Sequence, residues 1–180
     1  MIFKFRIISD ENETFLRTVE ISEKDTFLSL NQAILKACMF EPNQMTSFFV
    51  SNNDWEKEQE ITLVDMNDDS LNTVAMEKAV LHNYVNKKDD KLIFVFDFFG
   101  DRALFCTLME IKDEERAIQY PICSHSAGNA PVQLLTEEDE FAELFNDFDY
   151  DDEDDLDDLD ADSSEEFDDF GAEEFNEKEY

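Results

Sequence analysis

Two carboxylates, Asp97 and Asp101, stand four residues apart around Phe98-Phe99-Gly100, and a thiol, Cys106, follows five residues later. Brought together in a cleft, such groups could move protons or attack an electrophile. Asp next to Gly also stabilises tight turns, because its carboxylate accepts from nearby backbone N–H groups. The turn reading is preferred, and an enzyme of unknown chemistry near Asp97, Asp101 and Cys106 stays as the alternative. A Cys106–His125 nucleophile pair is possible in type, but a free cysteine more often serves as a small buried hydrophobe.

Metal chemistry is thinly represented. Cys123 and His125 supply half of a zinc site, and no second pair lies at zinc-finger spacing. In the acidic run, an EF-hand loop begun at Asp149 has Asp151 and Glu153 at its third and fifth positions. It then places Asp154 where Gly is needed and Asp160 where a bidentate Glu belongs. With three glycines in 180 residues there is no phosphate-cradling loop. No catalytic residue, metal ligand or cofactor is assigned on these grounds.

Charge says more than any of these groups. Residues 136–180 hold 24 of the 47 acidic residues and one of the 14 basic ones, a net charge of about −23 on a quarter of the chain. Unpaired carboxylates cost several kcal/mol each to bury, so residues 149–180 are expected to be solvated and disordered. Aromatic anchors are interleaved with the acid: Tyr150, Phe167, Phe170, Phe175 and Tyr180. A purely solubilising tail, which stays as an alternative, does not need them, whereas an interaction segment uses charge to keep them exposed and aromatic contact for affinity. Within 136–148, Phe141, Leu144, Phe145 and Phe148 recur at helical spacing behind Thr136 and an acidic first turn, which predicts an amphipathic helix. Its apolar stripe calls for burial, against the chain's own domain or in a partner's groove.

The partner implied is a basic, nucleic-acid-associated protein, engaged by a non-enzymatic adaptor whose acidic segment imitates the charge of a nucleic-acid strand. Direct nucleic-acid binding is disfavoured, since Lys87, Lys88 and Lys91 make the only basic cluster. No apolar run approaches the ~20 residues that span a bilayer, and the opening residues alternate too regularly for a signal peptide. Three widely spaced cysteines suit a reducing compartment. A cytoplasmic, membrane-free protein is expected; oligomeric state is not encoded.

The elements that must position these groups lie in residues 1–135. Residues 2–8 and 15–21 alternate apolar and polar positions and predict a β-hairpin. Asp25 or Thr26 can cap a helix over 27–39, which Pro42 forbids from continuing. A second hairpin is expected from Ser47–Ser51 and Glu60–Val64, with Trp55 as a core anchor at its loop. The turn-like Asn67-Asp68-Asp69-Ser70 precedes an expected second helix over Val74–Tyr84. Lys91–Phe98 and Arg102–Ile111 are the strongest strands and should pair centrally. The stretch from Pro121 to Pro131 reads as a loop wrapping the domain. The fold expected is α+β: an antiparallel sheet with two helices on one face, followed by the acidic tail.

Three segments carry a resemblance to a family. They are the opening strand with the helix Thr26-Phe-Leu-Ser-Leu-Asn-Gln-Ala-Ile-Leu-Lys-Ala, the pair Ser47-Phe-Phe-Val and Ile61-Thr-Leu, and the aromatic-Asp-aromatic-Gly-Asp turn of Phe96 to Asp101. Through them residues 1–133 resemble the plasmid pRi open-reading-frame-three-like family, whose members include insertion-element passenger proteins of the TnpR type. The resemblance implies an α+β fold and no established enzymatic activity; the passenger label reflects genetic neighbourhood, not resolvase chemistry. The family's turn usually reads Tyr-Asp-Phe-Gly-Asp with Trp and His following. Here there is an extra aromatic, Phe98-Phe99, and then Arg102-Ala103-Leu104-Phe105-Cys106. The closing Cys123–Pro131 loop also lacks the second Cys and the Gly-Gly. A site that depends on that His or on paired cysteines is not expected in this chain.

The division at Thr136 is open to a direct check. Limited proteolysis of the full chain should leave a stable fragment ending between residues 135 and 150, and a uniformly protected chain would contradict the division.

Overall fold

The alternation of residues 2–8 and 15–21 becomes a hairpin of β1 (Ile2–Ser9) and β2 (Leu16–Ser22), in register from Ile2 opposite Ser22 to Ile8 opposite Leu16. The computed structural model describes residues 1–64, 73–115 and 117–135. Helix α1 (Phe27–Cys38) follows. Its cap is Thr26, whose Oγ1 accepts the Ser29 N–H at 3.4 Å, and left-handed Met39 closes the other end. Phe27, Leu30, Ile34, Leu35 and Cys38 form the buried stripe. Asn31 is buried with them, where it accepts from Thr46 Oγ1 at 3.0 Å.

The remaining strands are β3 (Ser47–Ser51), β4 (Lys57–Thr62), β5 (Thr73–Ala75), β6 (Lys91–Asp97), β7 (Arg102–Lys112) and β8 (Ile122–Ala127). They join one eight-stranded sheet in the order β5-β4-β3-β6-β7-β1-β2-β8. As expected, β6 and β7 pair in its middle. Because successive strand side chains point to opposite faces, Phe48, Phe94, Leu104 and Cys106 meet α1 on one face, while Ile93, Val95 and Ala103 form a smaller cluster on the other. Seven phenylalanines (Phe3, Phe5, Phe15, Phe27, Phe48, Phe94 and Phe96) are essentially fully buried. At ~1.5–3 kcal/mol for each buried side chain, they dominate the driving force for folding.

Three expectations are corrected. The sheet is mixed rather than purely antiparallel, because β5 runs parallel to β4 with Ile61 opposite Val74. The second helix does not form: Val74–Tyr84 becomes the end of β5, a turn and a 3-10 segment at Leu81–Asn83. Its backbone is engaged elsewhere. The carbonyls of Ala79 and Met76 accept from the N–H groups of Phe27 and Leu28, which would otherwise be orphan donors at the start of α1. The N–H groups of Leu81 and His82 donate to Asp25 and Glu23. A helical i to i−4 ladder cannot use the same groups. The turn expected at Asn67–Ser70 lies outside the described residues.

The third correction concerns the closing segment, which is strand β8 along the free side of β2 and not a wrapping loop. Almost every residue of β8 is exposed, so no hydrophobic alternation marks it in the sequence. Backbone pairing and a buried cation hold it instead. Arg17 on β2 donates from Nη1 to the carbonyls of Leu16, Ala127 and Gly128 at 2.9, 2.6 and 3.1 Å, and from Nε to Ala37 at the end of α1 at 2.9 Å. Gly128 follows at φ +63°, where a Cβ would sit 2.4 Å from the Thr14 carbonyl oxygen. Only glycine closes this corner. Cys38 and Cys106 are buried as expected, but Cys123, on β8, is exposed.

Across β1, buried Glu20 of β2 meets Lys112 Nζ of β7 at 2.8 Å. Burial alone would raise its pKa. Hydrogen bonds from Lys112 and Ser124, with the charges of Lys112 and Lys4, outweigh it and leave the carboxyl below its ordinary 4.5. A carboxyl lowered in the folded state adds stability that is complete above its unfolded pKa and lost as pH falls through the folded one. In urea titrations across pH, Glu20→Gln should therefore be less stable than wild type at pH 7 and lose less stability on acidification below about 4.5. Parallel acid limbs for the two proteins would contradict this account.

Candidate binding site at the aromatic turn

The turn between β6 and β7 is built around Asp97. Its Oδ1 accepts the N–H groups of Phe99 and Gly100 at 3.0 and 3.2 Å, which is the turn chemistry expected of it. Arg102 lies 3.7 Å from the other carboxylate oxygen and holds Glu11 through two bonds, at 2.9 and 2.6 Å. Its guanidinium also stacks over the Phe96 ring at 5.0 Å. Asp101 adopts the left-handed conformation at φ 50° and pairs with Lys57 at 2.9 Å. Both carboxylates are thus engaged in fixing the turn.

Fixing the turn in this way leaves its two aromatic residues outward. Phe99 is fully exposed, and Phe98 is about half exposed, as are Met45, Val64 and Leu134. These five side chains surround a cavity of about 500 Å³ whose walls are Leu63, Phe96 and the 43–45 loop, with Glu60 and Asp97 as its charged groups. A concave apolar site edged by a few polar groups has the make-up of a docking pocket. Large apolar side chains gathered in one exposed patch mark a contact surface. Sequence reasoning singled out the turn for its carboxylates and missed the pocket. The doubled Phe98-Phe99 was the available signal, since one strand end cannot bury two consecutive side chains on the same face.

Cys106 is not part of this site. It lies on the α1 face of the sheet, fully buried, and burial raises its thiol pKa far above the ordinary value. His125 sits on β8, beyond β1 and β2 from β7 in the sheet order, so neither the Asp97–Asp101–Cys106 cleft nor a Cys106–His125 pair is assembled. Cys123 Sγ donates to the His125 carbonyl at 3.2 Å, on an exposed edge. Among the described residues no group of three or more His, Cys, Asp or Glu could hold a metal ion. Trp55, expected in the core, adopts φ 63° and half-buries itself on the opposite face from α1, edge-on to Phe105 with Lys91 over its ring. The tail residues Phe141, Leu144, Phe145, Phe148, Tyr150, Phe167, Phe170, Phe175 and Tyr180 lie outside the described residues.

The family model for plasmid pRiA4b ORF-3-like proteins matches residues 2–179. The chain belongs to this family. The match runs well past the 1–133 that carry the resemblance by motif, so the acidic segment falls within the ORF-3-like family region. A crystal structure of a protein of unknown function from Methanosarcina mazei Go1 has a similar fold, with a TM-score of 0.62 at 19% identity over 83% of this chain and 84% of that one. No curated protein matches the chain. No helix among the described residues of this ORF-3-like protein is long and apolar enough to cross a membrane.

The turn and the pocket can be separated by mutation. Asp97→Ala leaves two backbone donors without their acceptor and should cost ~1–3 kcal/mol in urea denaturation. Phe99→Ser touches only an exposed side chain and should stay within ~0.5 kcal/mol of wild type. A large loss of stability in the Phe99 variant would mean that the ring is structural and not presented for contact.

Proposed function

We propose that the protein is a non-enzymatic adaptor that binds a basic, nucleic-acid-associated protein partner. The domain supplies specificity through the apolar pocket at the aromatic turn. The acidic-aromatic segment supplies electrostatic attraction by imitating the charge of a nucleic-acid strand. The observation that carries this reading is the cluster of Phe98, Phe99, Met45, Val64 and Leu134 held in water around a preformed cavity. Exposure of that much apolar surface opposes solubility unless a partner covers it. A net charge of −33 on the whole chain favours a cationic ligand surface.

The two contributions respond differently to salt. Charge attraction is screened over ~8 Å at physiological ionic strength, whereas apolar contact survives added salt. A partner recovered with the full-length chain, identified and purified, should therefore bind more weakly as salt rises. Replacing Phe98 and Phe99 by Ser should reduce affinity at every salt concentration by about tenfold or more, the loss of ~1.4 kcal/mol or greater. Replacing Phe167, Phe170, Phe175 and Tyr180 by Ser at constant charge tests the tail anchors in the same assay. If both sets of variants and a scrambled acidic segment all bind like wild type, the adaptor reading fails.

A further inference from the structure

A second cavity, of about 740 Å³, lies between the outer side of α1 and the segment leading into β8. Two other cavities each carry a carboxylate: Glu110, beside Lys4, Arg6 and Lys88, in one, and Glu60 and Asp97 in the pocket at the aromatic turn. Among the described residues no carboxylate lines this one, although the chain carries 47 acidic residues. Its lining includes Lys36 and Gln32 from α1 and Gln119 and Tyr120 from the facing segment. Lys36 is exposed and makes no ion pair among the described residues. The Tyr120 hydroxyl is shut from solvent, so Tyr120 does not present its oxygen to the cavity.

Between these groups the wall is apolar, formed by Ala33, Ala37, Pro121 and Ile122. One cation and two amides around an apolar wall suit a ligand with one negative charge and a hydrocarbon body. A phosphate dianion would want more than one cation and no apolar contact. The volume falls within the ~300–1,000 Å³ usual for small-molecule sites. We infer that this cavity binds a small organic carboxylate, its charge on Lys36 and its apolar part against the α1 wall. The site is separate from the aromatic-turn pocket and does not depend on the adaptor reading.

Cys123 also lines the cavity and reports on it, because it is the exposed cysteine, while Cys38 and Cys106 are buried. Burial holds the Cys38 thiol up at about 12, so it reacts slowly. Benzoate, succinate and inorganic phosphate are titrated into the full-length protein at constant ionic strength, followed by calorimetry and by the rate of Cys123 alkylation with iodoacetamide. Benzoate should bind saturably and slow alkylation over the same concentration range. Lys36→Met, a surface change that spares the core, should weaken benzoate by about tenfold, and Tyr120→Phe, which removes a hydroxyl shut from the cavity, should leave it unchanged. The inference is overturned if neither carboxylate binds saturably, if phosphate binds more tightly than benzoate, or if Lys36→Met binds benzoate as wild type does.

Discussion

One buried guanidinium holds three parts of the fold in register. Arg17 is almost fully enclosed, and it donates to backbone carbonyls of β2, α1 and the end of β8. A charge so placed would be costly in a dry interior without such partners. Here the carbonyl of Ala37 belongs to the last turn of α1, where the helix dipole favours a cation. The Phe15 ring lies 4.6 Å from the guanidinium carbon and adds a cation–π contact. Through this residue the helix, the hairpin and the closing strand share a fixed spacing. The cavity between α1 and the lead-in to β8 inherits its walls from that spacing.

The rest of the packing divides by face. Aromatic rings on the α1 side meet in tilted and edge-on pairs, such as Phe27 with Phe48 and Phe48 with Phe94, at 5.2 and 4.9 Å between centroids. Such pairs add ~0.5–1.5 kcal/mol beyond area burial. The opposite face has no helix among the described residues. It is covered in part by Trp55 folding back over Phe105 and in part by charged pairs such as Lys4 with Glu110 and Lys112 with Glu20. Specific chemistry therefore collects at the ends and edges of the sheet, where the turn of residues 97–101 and the α1–β8 cavity are found.

Local pattern was enough wherever an element owes its form to its own residues. The β1–β2 hairpin, α1 with its Thr26 cap and the central β6–β7 pair were all readable, since alternation, helical spacing and cap chemistry act within a few residues. What escaped depends on distant backbone partners. Val74–Tyr84 has helical spacing, yet its carbonyls cap α1 and its first residues pair with β4. The β8 segment has breakers at both ends and no alternation, and becomes a strand because β2 offers it a free side and Arg17 holds its end. At the site, the role of Asp97 in the turn was legible. The pocket was not, because Met45, Val64 and Leu134 come from sequence positions that nothing in the chain's order places beside Phe98.

The sheet order has a consequence for behaviour in crowded solution. β8 is the last strand, and among the described residues no strand pairs with its outer side, a row of backbone donors and acceptors that can template a strand from another molecule. The other margin is guarded by brevity, since β5 has three residues. β8 has six, two of them serines and one a histidine, and is too polar on both faces to attract a second sheet by apolar contact. What keeps two such edges apart at neutral pH is long-range repulsion between molecules of net charge −33. The chain's carboxylates thus act as a colloidal spacer between copies, and neutralising them would remove that barrier to extending the sheet from one molecule into the next.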